Sequence, residues 1–286
     1  MNSPMNTALK LSLLATALTL ALSACVTQES LIRAASNPDN LKTLIAPKKM
    51  TLEEERHLGR ESAATLLGAA PLLRDEALQN YVNRVGQWVA AQTGRNDIEW
   101  RFGILDTPNV NAFAAPAGYV LITRGLLSRL RNEAELGGVL GHEIAHVVER
   151  HHAEAMKKKE RSGALANIAA DATKGEGNKL VAGALTNVAK GLYASGLDKG
   201  DEYEADRLGI VYATRAGYNP YGLPRVIHMY ASAAGEGGFE LLFSTHPSPG
   251  DRLAALDKAM GDRLARFEAS GLDDTSVFRK LLAKGR

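Results

Sequence analysis

Hydrophobic and polar positions recur with helical spacing over much of the chain after about residue 48. In the segment 72–93, apolar residues return every three or four positions, which predicts a helix with one buried face. A preceding helix is predicted to begin near Thr51, because Thr51 and Glu54 have the spacing of a capping box.

The period then changes to two. Residues 98–104 alternate between apolar and polar or small side chains, which predicts a half-buried strand. Residues 111–115 predict a short edge strand, and Tyr119–Thr123 predicts another strand after a turn at Pro116–Gly118. The proline in this turn favours the edge of the sheet over a central position.

Helical spacing returns at Asn132, which forms a second capping-box pair with Glu135 and predicts a helix that runs to about residue 158. Gly137, Gly138 and Gly141 are costly inside a helix, at roughly 1 kcal/mol each relative to alanine. Three glycines so close together predict tight packing against a neighbouring element or a ligand.

The second half of the chain is mainly helical in pattern. Residues 161–200 predict two short helices around a glycine turn, although a bias towards small residues could also produce their near repeat by chance. Further helices are predicted at 201–217, 222–235 and 249–260, and near the C-terminus. The whole pattern predicts a mostly helical α+β fold with a small sheet.

Composition narrows the class of protein. The chain has 286 residues, of which 45% are hydrophobic and 23% are charged, with a formal net charge of +2. Such a composition is typical of a globular protein, and the small net charge argues against nucleic acid as a partner. Cys25 is the only cysteine, so no intramolecular disulfide can form and the fold must depend on its core.

The N-terminus has the pattern of an export signal. Lys10 precedes an apolar run at 11–22, which is short for a membrane span, and the run ends in Leu-Ser-Ala-Cys at Cys25. This ending resembles a bacterial lipobox, which implies that Cys25 is lipidated and becomes the first mature residue. The alternative is an ordinary signal peptide with an incidental cysteine. The residue after the cysteine is Val26 and not an aspartate, which resembles the sorting rule for lipoproteins of the outer membrane.

The predicted organisation has four parts. Residues 1–25 are predicted to be a lipoprotein signal peptide, residues 26–48 a tether, residues 49–262 the main folded domain, and residues 263–286 a C-terminal helical extension. The protein is expected at the periplasmic face of a bacterial membrane, held there by its lipid, with the outer membrane favoured.

The strongest chemical signal is the pattern His-Glu-x-x-His at His142, Glu143 and His146. On a helix, residues four apart share one face, so both imidazoles can converge on one zinc ion. Glu143, one step round the helix, can reach a metal-bound water and exchange its proton. The alternative is two surface histidines beside a charged residue, but the strongly apolar helix around them favours a buried site.

A catalytic zinc ion also needs a third protein ligand. Glu202 and Asp206 are four apart in a predicted helix, so they share a face. Glu202 can be the third ligand, and Asp206 can accept the free ring N–H of a ligand histidine and fix its tautomer. The alternative is an acidic, solvated start of a helix.

Three nearby side chains are expected to lie outside the zinc site. Neither His151 nor His152 shares the helical face of His146 well enough to complete the zinc site, so both are expected to be structural or solvated. Glu204 is expected to point away from the face that carries Glu202.

The segments HEIAH, EYEAD and STHPSPGDRL together resemble the M48 zinc metallopeptidases, which include the HtpX, BepA and Oma-type quality-control proteases and the CAAX prenyl proteases. The resemblance covers about residues 50–260 and implies a zincin-like fold with an active-site helix. It implies one zinc ion per chain, held by His142, His146 and Glu202. Glu143 would be the catalytic carboxylate.

The same resemblance assigns roles to later residues. Asp206 completes the Glu-x-x-x-Asp pair of the family and counts among the catalytic residues. His246 would lie near the metal, where it could stabilise the oxyanion or occupy the fourth zinc position at rest. Arg252 would pair with Glu202 or with another carboxylate of the site.

The segment NAFAAPAGY is similar to the edge strand of the family, which pairs with the backbone of an extended substrate. The residues expected to bind substrate in this way are Asn111, Ala112, Phe113 and Ala114. Ala117 stands where many relatives have a second glycine. Neither a tetratricopeptide repeat nor a transmembrane pattern after residue 25 is visible, so the minimal lipoprotein branch of the family is expected.

The sequence therefore predicts a zinc metalloendopeptidase of the bacterial envelope that cleaves misfolded or unassembled envelope proteins. Its expected partners are extended polypeptides, a membrane contacted through the N-terminal lipid, and the outer-membrane assembly machinery. One alternative is a chaperone-like assembly factor with a dormant metal site. Another is a zinc esterase or amidase acting on cell-wall material.

Overall fold

A computed structural model describes residues 50–159, 193, 196–233, 238–268, 271–273, 278–280 and 283. Nearly all of them belong to one compact unit, made of residues 52–157 and 182–286, while a second unit, 1–51 and 158–181, lies almost wholly outside the described residues. The predicted signal peptide, the tether and most of the hairpin at 161–200 are therefore not described. Within the described part, no helix combines the length and the apolar character needed to cross a membrane.

The described unit is mainly helical and contains one small sheet, which confirms the α+β prediction. Its α-helices include α1 (Leu52–Ala69), α2 (Glu76–Ala90), α3 (Arg124–Leu127), α4 (Glu133–Val148), α5 (Lys199–Arg215), α6 (Gly222–Ser232), α7 (Glu240–Thr245) and α8 (Pro249–Met260). Two 3-10 helices span Pro116–Gly118 and Gly261–Phe267.

The sheet has three strands in the order β1-β3-β2: β1 is Arg101–Leu105, β2 is Ala112–Ala115 and β3 is Tyr119–Thr123. The central strand β3 runs parallel to β1 and antiparallel to β2. Because β2 pairs only with β3 among the described strands, its prediction as an edge strand is confirmed. The predicted strand at 98–104 begins later than expected, at Arg101.

The turn between β2 and β3 places two consecutive residues in the left-handed region. Ala117 has a φ of +59° and Gly118 has a φ of +98°, so both lie in the left-handed region. A Cβ on Gly118 would also lie 2.4 Å from a side-chain carbon of Ile98. Alanine at 117 therefore accepts a conformation that glycine adopts at lower cost.

Helix α4 forms the centre of the unit and is buried around nearly its whole circumference. Asn132 caps it, since the Asn132 side chain accepts a hydrogen bond from the backbone N–H of Glu135. The Glu135 carboxylate accepts from the backbone N–H of Arg131, one residue before the expected capping-box partner.

The prediction that this helix continues to residue 158 is wrong. Helix α4 ends at Val148, Arg150 adopts a φ of +61°, and a separate helix follows at 151–159. The Arg150 side chain pairs with the buried carboxylate of Glu55 on α1, at 2.9 Å. This ion pair holds Arg150 at the break, and the break turns the chain after α4 in a new direction.

Helices α4 and α5 cross with their backbones in direct contact, as the glycines of α4 predicted. A Cβ on Gly141 would lie 2.6 Å from the carbonyl oxygen of Gly209, and a Cβ on Gly209 would lie 2.6 Å from the backbone nitrogen of His142. Real Cβ atoms do not approach backbone so closely. Glycine at both positions therefore sets the distance between the two helices.

We expect Gly209→Ala to lower the free energy of unfolding by about 1–3 kcal/mol, because the added methyl group must push α4 and α5 apart. The matched control is Gly200→Ala on the same helix, where a Cβ would meet nothing within 4 Å. It should change stability by less than about 1 kcal/mol. Urea denaturation of both variants measures the difference, and equal effects would contradict the proposed contact.

Candidate active site

Helix α4 brings the two motif histidines together as their spacing predicted. The Nε2 atoms of His142 and His146 lie 3.1 Å apart, and both side chains are buried. Helix α5 places the carboxylate of Glu202 against them, with one oxygen 3.6 Å from Nε2 of His142 and the other 3.6 Å from Nε2 of His146. Three potential metal ligands therefore converge from two crossing helices.

His246 completes the cluster from the C-terminal end of α7. Its Nδ1 lies 2.6 Å from Oε2 of Glu202, and His142, Glu202 and His246 each present a donor atom within 4.8 Å of the other two. Burial by itself would raise the pKa of Glu202, but the charge and the hydrogen bond of His246 outweigh it, and the pKa falls to about 2. Glu202 is therefore a carboxylate at neutral pH.

These donors fit a zinc ion. Two imidazole nitrogens bound at the usual zinc–nitrogen distance to a tetrahedral ion would lie roughly 3.3 Å apart, and the observed separation of His142 Nε2 and His146 Nε2 is 3.1 Å. Two imidazoles and a carboxylate are also a donor set typical of catalytic zinc sites.

Asp206 and Arg252 hold the first histidine in place. Oδ1 of Asp206 lies 2.9 Å from Nδ1 of His142, and Arg252 donates two hydrogen bonds to the same carboxylate, at 2.9 and 2.5 Å. The sequence left open which carboxylate pairs with Arg252, and in the structure it is that of Asp206. Burial would raise the pKa of Asp206, but the charge and hydrogen bonds of Arg252 and His142 outweigh burial and hold it well below its ordinary value.

Glu143 lies beside the donor cluster, on the wall of a cleft of about 300 Å³ that it shares with His246 and residues of β2. Its carboxyl is buried, and burial raises its pKa above the ordinary value, although the nearby charges of His142 and His246 act in the opposite direction. A carboxylate with raised proton affinity at the edge of a cleft is suited to proton transfer.

The outer edge of β2 faces this cleft. The carbonyl of Asn111 accepts from the N–H of Thr123 on β3, so alternation along the strand directs the backbone groups of Ala112 and Ala114 away from β3. Two of these outward groups already have partners. The N–H of Ala112 donates to Oδ1 of Asn111, and the carbonyl of Ala114 accepts from the hydroxyl of Tyr193, each at 3.0 Å.

Sequence reasoning missed His151 and Tyr193. His151 was expected to be structural or solvated, and the structure buries it with its Nδ1 3.0 Å from Nδ1 of His146. Glu204 was expected to point away from the face that carries Glu202, and its Oε2 lies 3.4 Å from Nε2 of His151. His152 packs its ring 5.3 Å from those of His146 and Tyr193. The signal that could have found His151 is the helix break, which no glycine marks.

Comparison with known proteins agrees with this geometry. Residues 76–260 match the peptidase family M48. The chain is 31% identical over 222 residues to the beta-barrel assembly-enhancing protease of Escherichia coli (strain K12), a match that covers 73% of this chain and 44% of that protein. It is 30% identical over 189 residues to the mitochondrial metalloendopeptidase OMA1 of Arabidopsis thaliana, which covers 66% of this chain and 37% of that protein. The chain thus spans less than half the length of either relative.

The pH dependence of stability should report the pairing of Asp206 in the zinc-free protein. Because the pKa of Asp206 is lower in the folded protein than the unfolded value of about 3.9, its stabilising contribution is complete above about pH 5 and is lost as the pH falls. We expect Asp206→Asn to cost roughly 3–5 kcal/mol at pH 7, because Arg252 loses its partner, and to flatten the decline below pH 5.

Urea denaturation between pH 7 and pH 3 measures this effect. Asp257→Asn is the control, because Asp257 lies exposed on α8. A wild-type pH profile in Asp206→Asn would contradict the pairing.

Proposed function

Because the chain belongs to the peptidase family M48, we propose that it is a zinc-dependent endopeptidase. The observation that carries this proposal is the convergence of His142, His146 and Glu202 on one point, with Glu143 at the adjoining cleft. One zinc ion per chain is held by the two histidines and Glu202. When bound, it supplies a Lewis acid that polarises a carbonyl and lowers the pKa of water.

Side chains of the protein orient the metal ligand, transfer the proton and stabilise the oxyanion. Asp206 accepts the Nδ1 proton of His142, so Nε2 keeps its lone pair for the metal, and Arg252 keeps Asp206 ionised. Glu143 takes a proton from the attacking water and returns it to the leaving amine. His246, held against Glu202, is placed to stabilise the negative charge that develops on the carbonyl oxygen.

The substrate is an extended polypeptide that pairs with the outer edge of β2. Asn111, Ala112 and Phe113 line the cleft, and the carbonyl of Ala114 accepts from the substrate main chain once the hydroxyl of Tyr193 has moved away. Pairing of this kind reads backbone more than side chains, so it suits unfolded proteins. Asn111, Ala112, Phe113 and Ala114 are therefore the proposed substrate-binding residues.

The name of the Escherichia coli relative supports a substrate class in the cell envelope. By analogy, the substrates are misfolded or unassembled envelope proteins, and the outer-membrane assembly machinery is the partner. The signal pattern at residues 1–25 supports lipidation at Cys25, followed by a tether at 26–48, the peptidase domain at 49–262 and a helical extension at 263–286. The protein is then anchored by lipid at the periplasmic face, in the outer membrane.

A second candidate function is an assembly factor whose metal site is dormant. Two contacts favour it, namely the hydrogen bond between His246 and Glu202 and the bond from Tyr193 to the carbonyl of Ala114. Both contacts close groups that a substrate or the reaction would use.

We expect the zinc-loaded chain from residue 26 onward to cleave an unfolded protein such as casein. Glu143→Gln should lower the rate at least about 10²-fold, because the proton acceptor is lost, while zinc stoichiometry is unchanged. Glu149→Gln is the matched control, since Glu149 lies exposed at the end of α4, and it should cleave at the wild-type rate.

Cleavage by wild type but not by Glu143→Gln supports the peptidase. If neither protein cleaves casein while both bind zinc, the peptidase proposal is contradicted for this resting form and the assembly factor is favoured. His246→Ala would then test whether removal of the contact to Glu202 releases activity.

We expect Cys25→Ser to abolish labelling by radioactive palmitate in a bacterial host and to release the protein from the membrane fraction. The reason is that serine lacks the thiol that lipidation requires. Thr27→Ser, two residues into the proposed tether, should remain labelled. A labelled and membrane-bound Cys25→Ser protein would rule out the lipobox.

A further inference from the structure

The two motif histidines are supported by different partners. Nδ1 of His142 faces the carboxylate of Asp206 at 2.9 Å. Nδ1 of His146 faces another imidazole, since it lies 3.0 Å from Nδ1 of His151, and all three rings are buried. A hydrogen bond between two ring nitrogens requires that one of them carries a proton and the other does not. The contact therefore fixes which nitrogen of each neutral imidazole is protonated.

The position of that proton follows from the geometry. Nε2 of His146 points into the cluster with His142 and Glu202 and needs its lone pair there to bind a metal. His146 must therefore carry its proton on Nδ1 and donate it to Nδ1 of His151. His151 then carries its own proton on Nε2, which faces Oε2 of Glu204 at 3.4 Å. Each N–H in this series, from His146 to His151 and from His151 to Glu204, points away from the metal site.

The backbone conformation at Arg150 supports a functional role for the contact between His146 and His151. On a continuous helix, five residues advance about 140° beyond a full turn, so His151 would lie away from the face of His146. It reaches His146 only because Arg150 takes a φ of +61° and a new helix begins. A left-handed conformation at a residue other than glycine costs energy and tends to persist at functional positions. The ion pair of Arg150 with the buried carboxylate of Glu55 maintains it.

We propose that His151, backed by Glu204, is a positioning residue that fixes the tautomer and ring orientation of His146 as a metal ligand. The proposal rests on the metal site of the proposed function, but not on peptidase activity. His151 acts on one ligand as Asp206 acts on the other. Glu204 contributes less than His151, because its side chain is 45% exposed and the contact is long.

Two substitutions at His151 separate positioning from packing. In His151→Asn, the amide Oδ1 takes the place of Nδ1 and can still accept from His146. In His151→Leu, a side chain of similar size has no acceptor. The control is His152→Leu, because His152 packs its ring beside His146 while its own Nδ1 makes no hydrogen bond in the structure.

Zinc affinity of the full chain is measured by competition with a chromophoric chelator, and the visible spectrum of the cobalt-substituted protein reports ligand geometry. We expect His151→Leu to weaken zinc binding about 10- to 100-fold and to change the cobalt spectrum. His151→Asn should bind within a few-fold of wild type, as should His152→Leu. Glu204→Gln should weaken binding by less than His151→Leu does.

Equal losses in His151→Leu and His151→Asn would show that only packing matters and would overturn the proposal. Normal zinc affinity in His151→Leu would overturn it as well. If the expected order of affinities holds but no protein cleaves casein, the positioning role stands and the peptidase proposal fails. If wild type binds no zinc, both fail.

A measurement on the wild-type protein covers the case in which His151→Leu does not fold. Nitrogen-15 NMR of the zinc-loaded protein distinguishes protonated from unprotonated ring nitrogens, and His151→Asn identifies the His151 signals. We expect His151 to carry its proton on Nε2 and to have an unprotonated Nδ1. The opposite tautomer would overturn the proposal.

Discussion

The backbone contact between α4 and α5 sets the geometry on which the rest of the site depends. Gly141 and Gly209 allow the two helices to approach more closely than any side chain permits. On α5, Glu202, Asp206 and Gly209 follow one another at spacings of four and three, so the two carboxylates and the contact point share a face. The distance that glycine sets is therefore the distance over which Glu202 reaches the histidines of α4.

Charge is the second constraint on the site. Glu202 and Asp206 are both buried and both held as carboxylates by their neighbours. The two carboxylates have different partners. Arg252 forms a bidentate pair with Asp206, and His246 donates to Glu202. Asp206 is thus satisfied by the protein itself, whereas Glu202 faces a cluster of nitrogen donors, which is the arrangement that a cation would complete.

Periodicity and motif spacing predicted much of this arrangement. The edge strand β2, the cap at Asn132 and the close packing of the α4 glycines follow from local rules, and the structure confirms them. The shared faces of His142 with His146 and of Glu202 with Asp206 follow from helix geometry alone. Local rules work here because the residues that predict each of these features lie within one turn or one strand, even where the contact itself is with another element.

The features that sequence did not predict depend on tertiary contacts. The break after α4 places Arg150 in a conformation that usually indicates glycine or asparagine, and its stabilising partner, Glu55, lies about a hundred residues earlier in the chain. His151 could not be assigned to His146 without that break. The bond from Tyr193 to the carbonyl of Ala114 likewise joins residues 79 apart, so no local pattern could indicate it.

The most direct test of this account is a crystal structure of the zinc-loaded protein, with anomalous scattering recorded on both sides of the zinc edge. The account predicts one zinc ion per chain, bound to Nε2 of His142, Nε2 of His146 and the carboxylate of Glu202, with helices α4 and α5 at their present separation. Zinc bound without Glu202, or at a site that requires α4 and α5 to move apart, would contradict it.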